Sequence, residues 1–171
     1  MGTATNIKIG TCSITFKGTD LGHTMGGATF SYTPEYADIL ADQYGNTPLD
    51  KALVGEVVTI TARLAESTIA NFAVAIPAGT VAGATSGRVT LGKDAGYRLS
   101  ANAGALIVHP LVNASSNKDD DIVLYKAVVH EAVEVNYSND EETVLEVTFI
   151  GLIDTTKSSG SLLGLIGDSA D

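Results

Sequence analysis

The sequence predicts a mainly β fold: an antiparallel sandwich or barrel-like domain with one flanking α-helix. Three observations predict it. Val, Ile and Thr supply 46 of the 171 residues, a β-branched load that favours strands over helices. Apolar and polar residues alternate with period two in several segments, as along strands with one buried face. Only one segment combines helical spacing with matching start and stop signals. At 44% hydrophobic and 18% charged residues, the chain can bury a core and is not composed like a disordered acidic polymer.

Taken in order, Ile7 and Ile9, then Ile14 and Phe16, alternate around Gly10-Thr11 and predict a short N-terminal hairpin. Between Met25 and Tyr32, Ala28, Phe30 and Tyr32 fall on one face, with Thr29 and Ser31 on the other. Residues 33–45 fit two periods: Tyr36, Ile39, Leu40 and Tyr44 suit a helix, while Ala37, Ile39 and Ala41 opposite Asp38 and Asp42 suit a strand. From Glu56 to Leu64, Val58, Ile60, Ala62 and Leu64 alternate with Val57, Thr59, Thr61 and Arg63. The helix follows, with Ser67 as its cap, Ile69, Phe72, Ala73 and Ile76 on one side, and Pro77 as its stop.

Gly79 to Gly87 and Asn113 to Asp121 are rich in Gly, Ser, Asn or Asp and predict loops. A long strand is expected from Val123 to Tyr137, with Val123, Tyr125, Ala127, Val129, Val133, Val135 and Tyr137 on one face. Ser138 to Glu142 would turn the chain into a partner strand in which Leu145, Val147 and Phe149 alternate with Glu146 and Thr148. No repeat or linker divides the chain, so residues 1–154 form one expected domain and 155–171 a small-residue C-terminal tail or arm.

The net charge of −10 is uneven. Residues 1–118 are balanced, whereas residues 119–171 carry the excess acid against only Lys126 and Lys157. With no clustered Lys and Arg, attachment to nucleic acid or an anionic membrane through a basic surface is excluded. Cys12 is the only cysteine, so neither an intrachain disulfide nor a Cys-rich zinc site can form. No signal peptide and no membrane span are expected.

The motifs that hint at chemistry each fall short. Gly87-Arg-Val-Thr-Leu-Gly92-Lys93 nearly spells a phosphate-binding loop, but Asp94 stands where a magnesium-holding hydroxyl belongs. His130-Glu131-Ala-Val-Glu134 lacks the second histidine of a zinc motif. His23 and His109 have no local partner, Cys12 reads as a small hydrophobe at a core or edge position, and Asp119-Asp120-Asp121 reads as a solvated loop lacking the spaced ligands of a calcium site. Asn113-Ala-Ser115 and Asn136-Tyr-Ser138 match glycosylation acceptors, which matter only in a secreted chain. No catalytic residue, metal ligand or cofactor is expected, and the chain reads as a structural protein rather than an enzyme.

The order of segments resembles the major tail tube proteins of long-tailed bacteriophages. It runs through Gly26-Gly-Ala-Thr-Phe-Ser-Tyr32, Asp42-Gln-Tyr-Gly-Asn-Thr-Pro-Leu-Asp50, Gly55-Glu-Val-Val-Thr-Ile-Thr61, the helix from Glu66 to Ile76, Leu124-Tyr-Lys-Ala127, Glu134-Val-Asn-Tyr137 and Leu145-Glu-Val-Thr-Phe149. The resemblance implies a homohexameric ring whose inner strands close a β-barrel around a channel, with rings stacked into a helical polymer. It implies a virion tail subunit, assembled in the host cytoplasm, whose partners are copies of itself, the tape-measure protein, and the tail tip and terminator proteins. Double-stranded DNA would pass through the channel without specific binding. The resemblance favours a strand for Tyr36 to Tyr44, and makes Asn46, Pro48 and Asp50 a candidate contact with the next ring or subunit.

Combined with the alternation, it makes Thr29, Ser31, Asp38, Asp42, Thr59, Thr61, Arg63, Glu146 and Thr148 the candidate channel lining. A hydroxyl-rich, weakly anionic wall lets DNA slide, because it offers no paired cations to trap phosphates. Arg63 either pairs with Asp38, Asp42 or Glu146 or lies outside the channel, and most of the late acids, in the Asp119 to Asp121 loop, the Asp140 to Glu142 turn and the tail, are expected away from the DNA path. A capsid decoration or host-recognition β-sandwich is the alternative expectation.

Overall fold

Strands with one apolar face need a partner layer, and this chain supplies it by curling one sheet upon itself. The computed structural model describes residues 7–82, 87–140 and 142–168. Its strands are β1 (Cys12–Phe16), β2 (Thr19–Asp20), β3 (Thr24–Ile39), β4 (Asp50–Leu64), β5 (Thr80–Ala82), β6 (Arg88–Thr90), β7 (Gly104–Pro110), β8 (Ile122–Val129), β9 (Leu145–Gly151) and β10 (Gly164–Ile166). The α-helix, α1, spans Ile69–Ala75. The fold is mainly β and antiparallel, as the alternation predicts. One eight-stranded sheet runs β2-β1-β7-β8-β9-β4-β3, with β10 also paired to β8, while β5 and β6 form a separate ribbon.

The curl is visible in contacts between strands that are not sheet neighbours. Phe16 of β1 and Phe149 of β9 bring their ring centroids to 5.3 Å, although β7 and β8 separate them in the sheet. The backbone of Ala28 in β3 comes within hydrogen-bond reach of the Cys12 thiol in β1, so the two ends of the sheet approach each other. Among the described residues no ladder joins them, and the sheet stays open within the chain.

One cluster fills the interior. Ile14 and Phe16 meet Val58, Ile60, Ala62 and Leu64 from β4, Leu106 and Val108 from β7, and Leu145, Val147 and Phe149 from β9. Each such large side chain contributes about 1.5–3 kcal/mol on burial. The expected inward face of residues 58–64 is therefore the observed one.

Several expectations are corrected. The N-terminal hairpin turns at Lys17-Gly18, not Gly10-Thr11, where both residues adopt positive φ (52° and 77°), as a two-residue type I′ connection requires. Residues 33–45 split: β3 continues to Ile39, and Asp42–Tyr44 forms a 3₁₀ turn. The expected strand from Val123 to Tyr137 ends at Val129. An extra residue in β8 between its pairings Leu106↔Leu124 and Gly104↔Ala127 also reverses the pleat. Leu124 and Ala127 consequently both face the core, while beyond Val129 only a single bridge, Val135↔Leu145, remains.

The helix cap is Thr68 rather than Ser67, its Oγ1 accepting the Asn71 N–H at 3.2 Å. Asn71 itself is buried, and its side-chain amide donates to the carbonyls of Leu21 and Glu66 at 3.0 and 2.8 Å. The expected Gly79 to Gly87 loop contains β5, with residues 83–86 outside the described residues, as is Glu141 of the expected Ser138 to Glu142 turn. Residues 155–171 are not merely a tail: Gly164–Ile166 pairs with Leu124, Val123 and Ile122. The aspartate run is not uniformly solvated either. Asp121 is buried and meets His109, whereas Asp120 is held by Lys8.

Candidate functional site

Register decides which of the candidate lining residues share a surface. In the three-strand block β3-β4-β9, Thr29 pairs with Thr61, and Thr61 with Thr148. Ser31 pairs with Thr59 one step along, and Arg63 with Glu146 at the other end. These seven residues lie on the side of the sheet opposite Phe30, Ile60, Ala62 and Val147, so the alternation placed them together correctly.

Within the row the hydroxyls of Thr61 and Thr148 lie 3.1 Å apart, and Arg63 Nε stands 3.7 Å from Glu146 Oε2. Thr148 is buried, at 7% exposure, so it holds Thr61 in place more than it meets solvent. Thr29 and Ser31 are exposed. Of the three acids raised as partners for Arg63, the structure pairs it with Glu146.

Asp38 and Asp42 do not join this face. The β3–β4 ladder shifts register between Glu35 and Tyr36, but the extra residue, Val54, is in β4; β3 keeps its alternation, so even-numbered Asp38 shares the side of Phe30 and Tyr32, not that of Thr29 and Ser31. There it meets its cross-strand partner Lys51, with Nζ 2.6 Å from Oδ1. Asp42 starts the 3₁₀ turn beyond the strand. Without these two, the remaining lining set carries one positive and one negative charge, which cancel.

Acidity reaches the face from another source. The segment after β8 folds beside it and encloses a cleft of about 740 Å³, where Arg63 and Glu146 are joined by Glu131, Glu134 and Glu142. Glu142, expected away from the DNA path, thus lies with Glu131 and Glu134 at one end of the hydroxyl face. Nothing in their spacing announces this, because Glu131, Glu134 and Glu142 all lie outside the strands.

Asn46 and Pro48 lie in the exposed loop at the tip of the β3–β4 hairpin, and Asp50 is the first residue of β4, paired with Ile39. The hairpin carries features that the motif reading missed: Tyr36, Leu40, Tyr44, Leu49, Leu53 and Val54 are all more than half exposed. The available signal was the double period of residues 33–45, since a segment apolar in both the helical and the strand register has no single face to bury.

The phosphate-loop lookalike contributes β6, and Lys93 rests over the Tyr97 ring with its Nζ 5.4 Å from the centroid. His130 is on the surface beside Glu131, and Cys12 is half-buried in β1, where burial raises its thiol above the ordinary range. Among the described residues no group of three or more His, Cys, Asp or Glu side chains is placed to hold a metal, and no helix is long and apolar enough to cross a membrane. No protein-family model matches the chain, and no curated protein matches it.

Proposed function

We propose that the chain is the subunit of a phage-type tail tube, in which six copies form a ring, their inner strands complete a closed barrel, and stacked rings enclose a channel for double-stranded DNA. The observation that carries this reading is the β3-β4-β9 face, a row of threonine and serine hydroxyls whose one cation is paired. Such a wall hydrogen-bonds water and offers DNA no run of cations from which to release counterions, so passage costs little and nothing holds the phosphates. The open sheet supports the reading further. Among the described residues β3 pairs with no strand on its outer edge, a liability in a monomer that a neighbouring copy would remove.

The proposed partners follow from the ring: further copies of the chain, a tape-measure protein filling the channel during assembly in the host cytoplasm, and terminal proteins closing the tube at its tip and far end. Electron microscopy of the purified protein across a concentration series tests the reading. Rings or tubes are expected; a particle that stays monomeric even with a tape-measure partner contradicts it.

A second reading, a capsid decoration or host-recognition module, draws on the exposed tyrosines of the β3–β4 hairpin, Tyr32, Tyr36 and Tyr44, since aromatic faces bind sugars. Saturable glycan binding by the purified protein favours that reading.

A further inference from the structure

A cleft of about 520 Å³ lies between α1, β5 and the turn that joins β1 to β2. Ala70, Ala73 and Val74, which share one face of the helix, give it an apolar wall, and Phe16 and Val81 add to it. Every charged side chain that lines the cleft is a lysine, Lys17 or Lys93, although the chain carries 20 acids against 10 bases. Lys8, Lys51 and Lys118 each have a carboxylate partner. Among the described residues Lys17 and Lys93 have none.

The fold holds both ammonium groups in place. Lys17 takes a positive φ of 52° in its turn, and its stem lies so close over Gly104 that a Cβ there would collide with it. Its Nζ rests 5.4 Å from the Phe16 ring centroid, as Lys93 Nζ does from that of Tyr97. Asn102, two residues before Gly104, donates its side-chain amide to the Pro77 carbonyl and, at 3.0 Å, to the Tyr97 hydroxyl. The Tyr97 oxygen accepts there and keeps its own proton to donate. Residues 102–104 thus anchor both sides of the donor set, Lys17 through Gly104 and the Lys93–Tyr97 pair through Asn102.

Two cations and a hydroxyl donor beside an apolar helix face suit an anion that carries an apolar body. We infer that the cleft binds a free medium-chain carboxylate, its head on Lys17, Lys93 and the Tyr97 hydroxyl and its chain along Ala70, Ala73 and Val74. A carboxylate has about four lone-pair sites, enough to accept from all three donors. The volume falls within the ~300–1,000 Å³ of ordinary ligand pockets. The cleft shares no residue with the hydroxyl face, so the inference goes beyond the tube reading and does not depend on it.

Octanoate, titrated into the full-length protein below its micelle-forming concentration and followed by NMR, tests it. Saturable shifts are expected at the amides of Lys17, Ala70 and Lys93. Lys17→Gln and Lys93→Gln should each weaken binding about tenfold, the loss of one charge-assisted hydrogen bond. Ala70→Leu, at an exposed helix position, should fill the apolar part of the cleft and weaken octanoate at least as much, with the spectrum elsewhere unchanged. Acetate, which lacks the chain, and octanamide, which lacks the charge, should shift none of these amides. No saturable shift with octanoate, unchanged affinity in both lysine variants, or acetate or octanamide binding as tightly as octanoate overturns the inference.

Discussion

His109 Nδ1 lies 2.5 Å from Asp121 Oδ1, and both side chains are buried. Lys118 approaches the other carboxylate oxygen at 3.6 Å, and the Asp121 carbonyl accepts the Gly167 N–H at 2.8 Å. One residue thus joins the end of β7, the loop before β8 and the C-terminal segment. Asp121→Asn keeps the volume but removes the charge-assisted acceptor, so it should cost about 1–3 kcal/mol in urea unfolding. An unchanged midpoint would mean that the pair contributes no net stability.

At Gly164, paired with Leu124, β10 lies close against β8. A Cβ at this position would collide with the Val123 carbonyl, so Gly164→Ala must push β10 outward. We expect a loss of about 1–3 kcal/mol and faster exchange of the Tyr125 amide, which donates to Leu163 O at 3.0 Å. Wild-type protection at Tyr125 would show that β10 is not held by this contact.

The Cys12 thiol is raised above its ordinary value of 9.0, chiefly by burial. The folded chain therefore holds the neutral thiol more tightly than the unfolded chain does. This contribution to stability is complete below the ordinary thiol range and is lost as pH climbs through the raised value. Alkylation at pH 8 should be at least tenfold slower in the folded protein than in urea; equal rates would contradict the burial.

Asp120 shifts the other way. Its bond with Lys8, then its bond with Asn113, lowers its carboxyl below the usual 3.8, so it stabilises the fold above that value and stops doing so as pH falls through the lowered one. Lys8→Ala should move the Asp120 carboxyl upward in an NMR titration. A carboxyl that does not move would remove the Lys8 contact from the account.

Channel transit depends on charge along the hydroxyl face. Thr29→Lys, Ser31→Lys and Glu146→Lys together add three cations and remove one anion at exposed positions. In a ring these would be repeated in every copy. Tubes should still form, while DNA release from particles carrying the variant should slow at least tenfold. Normal release from particles verified to contain it would take these residues off the channel wall.

The parts of the fold legible in the sequence are those in which one face is buried over an unbroken ladder. Val58 to Leu64 and Leu145 to Phe149 are of this kind, and their partners' hydroxyls followed by parity alone. Legibility failed where pairing, not pattern, decides. Val133, Val135 and Tyr137 resume the alternation after Glu131, but the strand has ended at Val129 and only the Val135↔Leu145 bridge remains. Asp38 was assigned by the local contrast with Ala37 and Ile39, yet parity counted back to Thr29 puts it on the other side. The meeting of His109 with Asp121 depends on how a loop closes, which no local spacing records. The approach of β10 to β8 likewise brings together residues about forty positions apart, without a motif at either end.

The most direct measurement of the central proposal is an averaged cross-section of the assembled protein at a resolution that traces strands. The account predicts a six-fold ring with an open centre, the Thr29, Thr59 and Thr61 face of β3 and β4 turned inward, and β3 paired to the neighbouring copy. A ring with that face turned outward, or an assembly with no central channel, would contradict it.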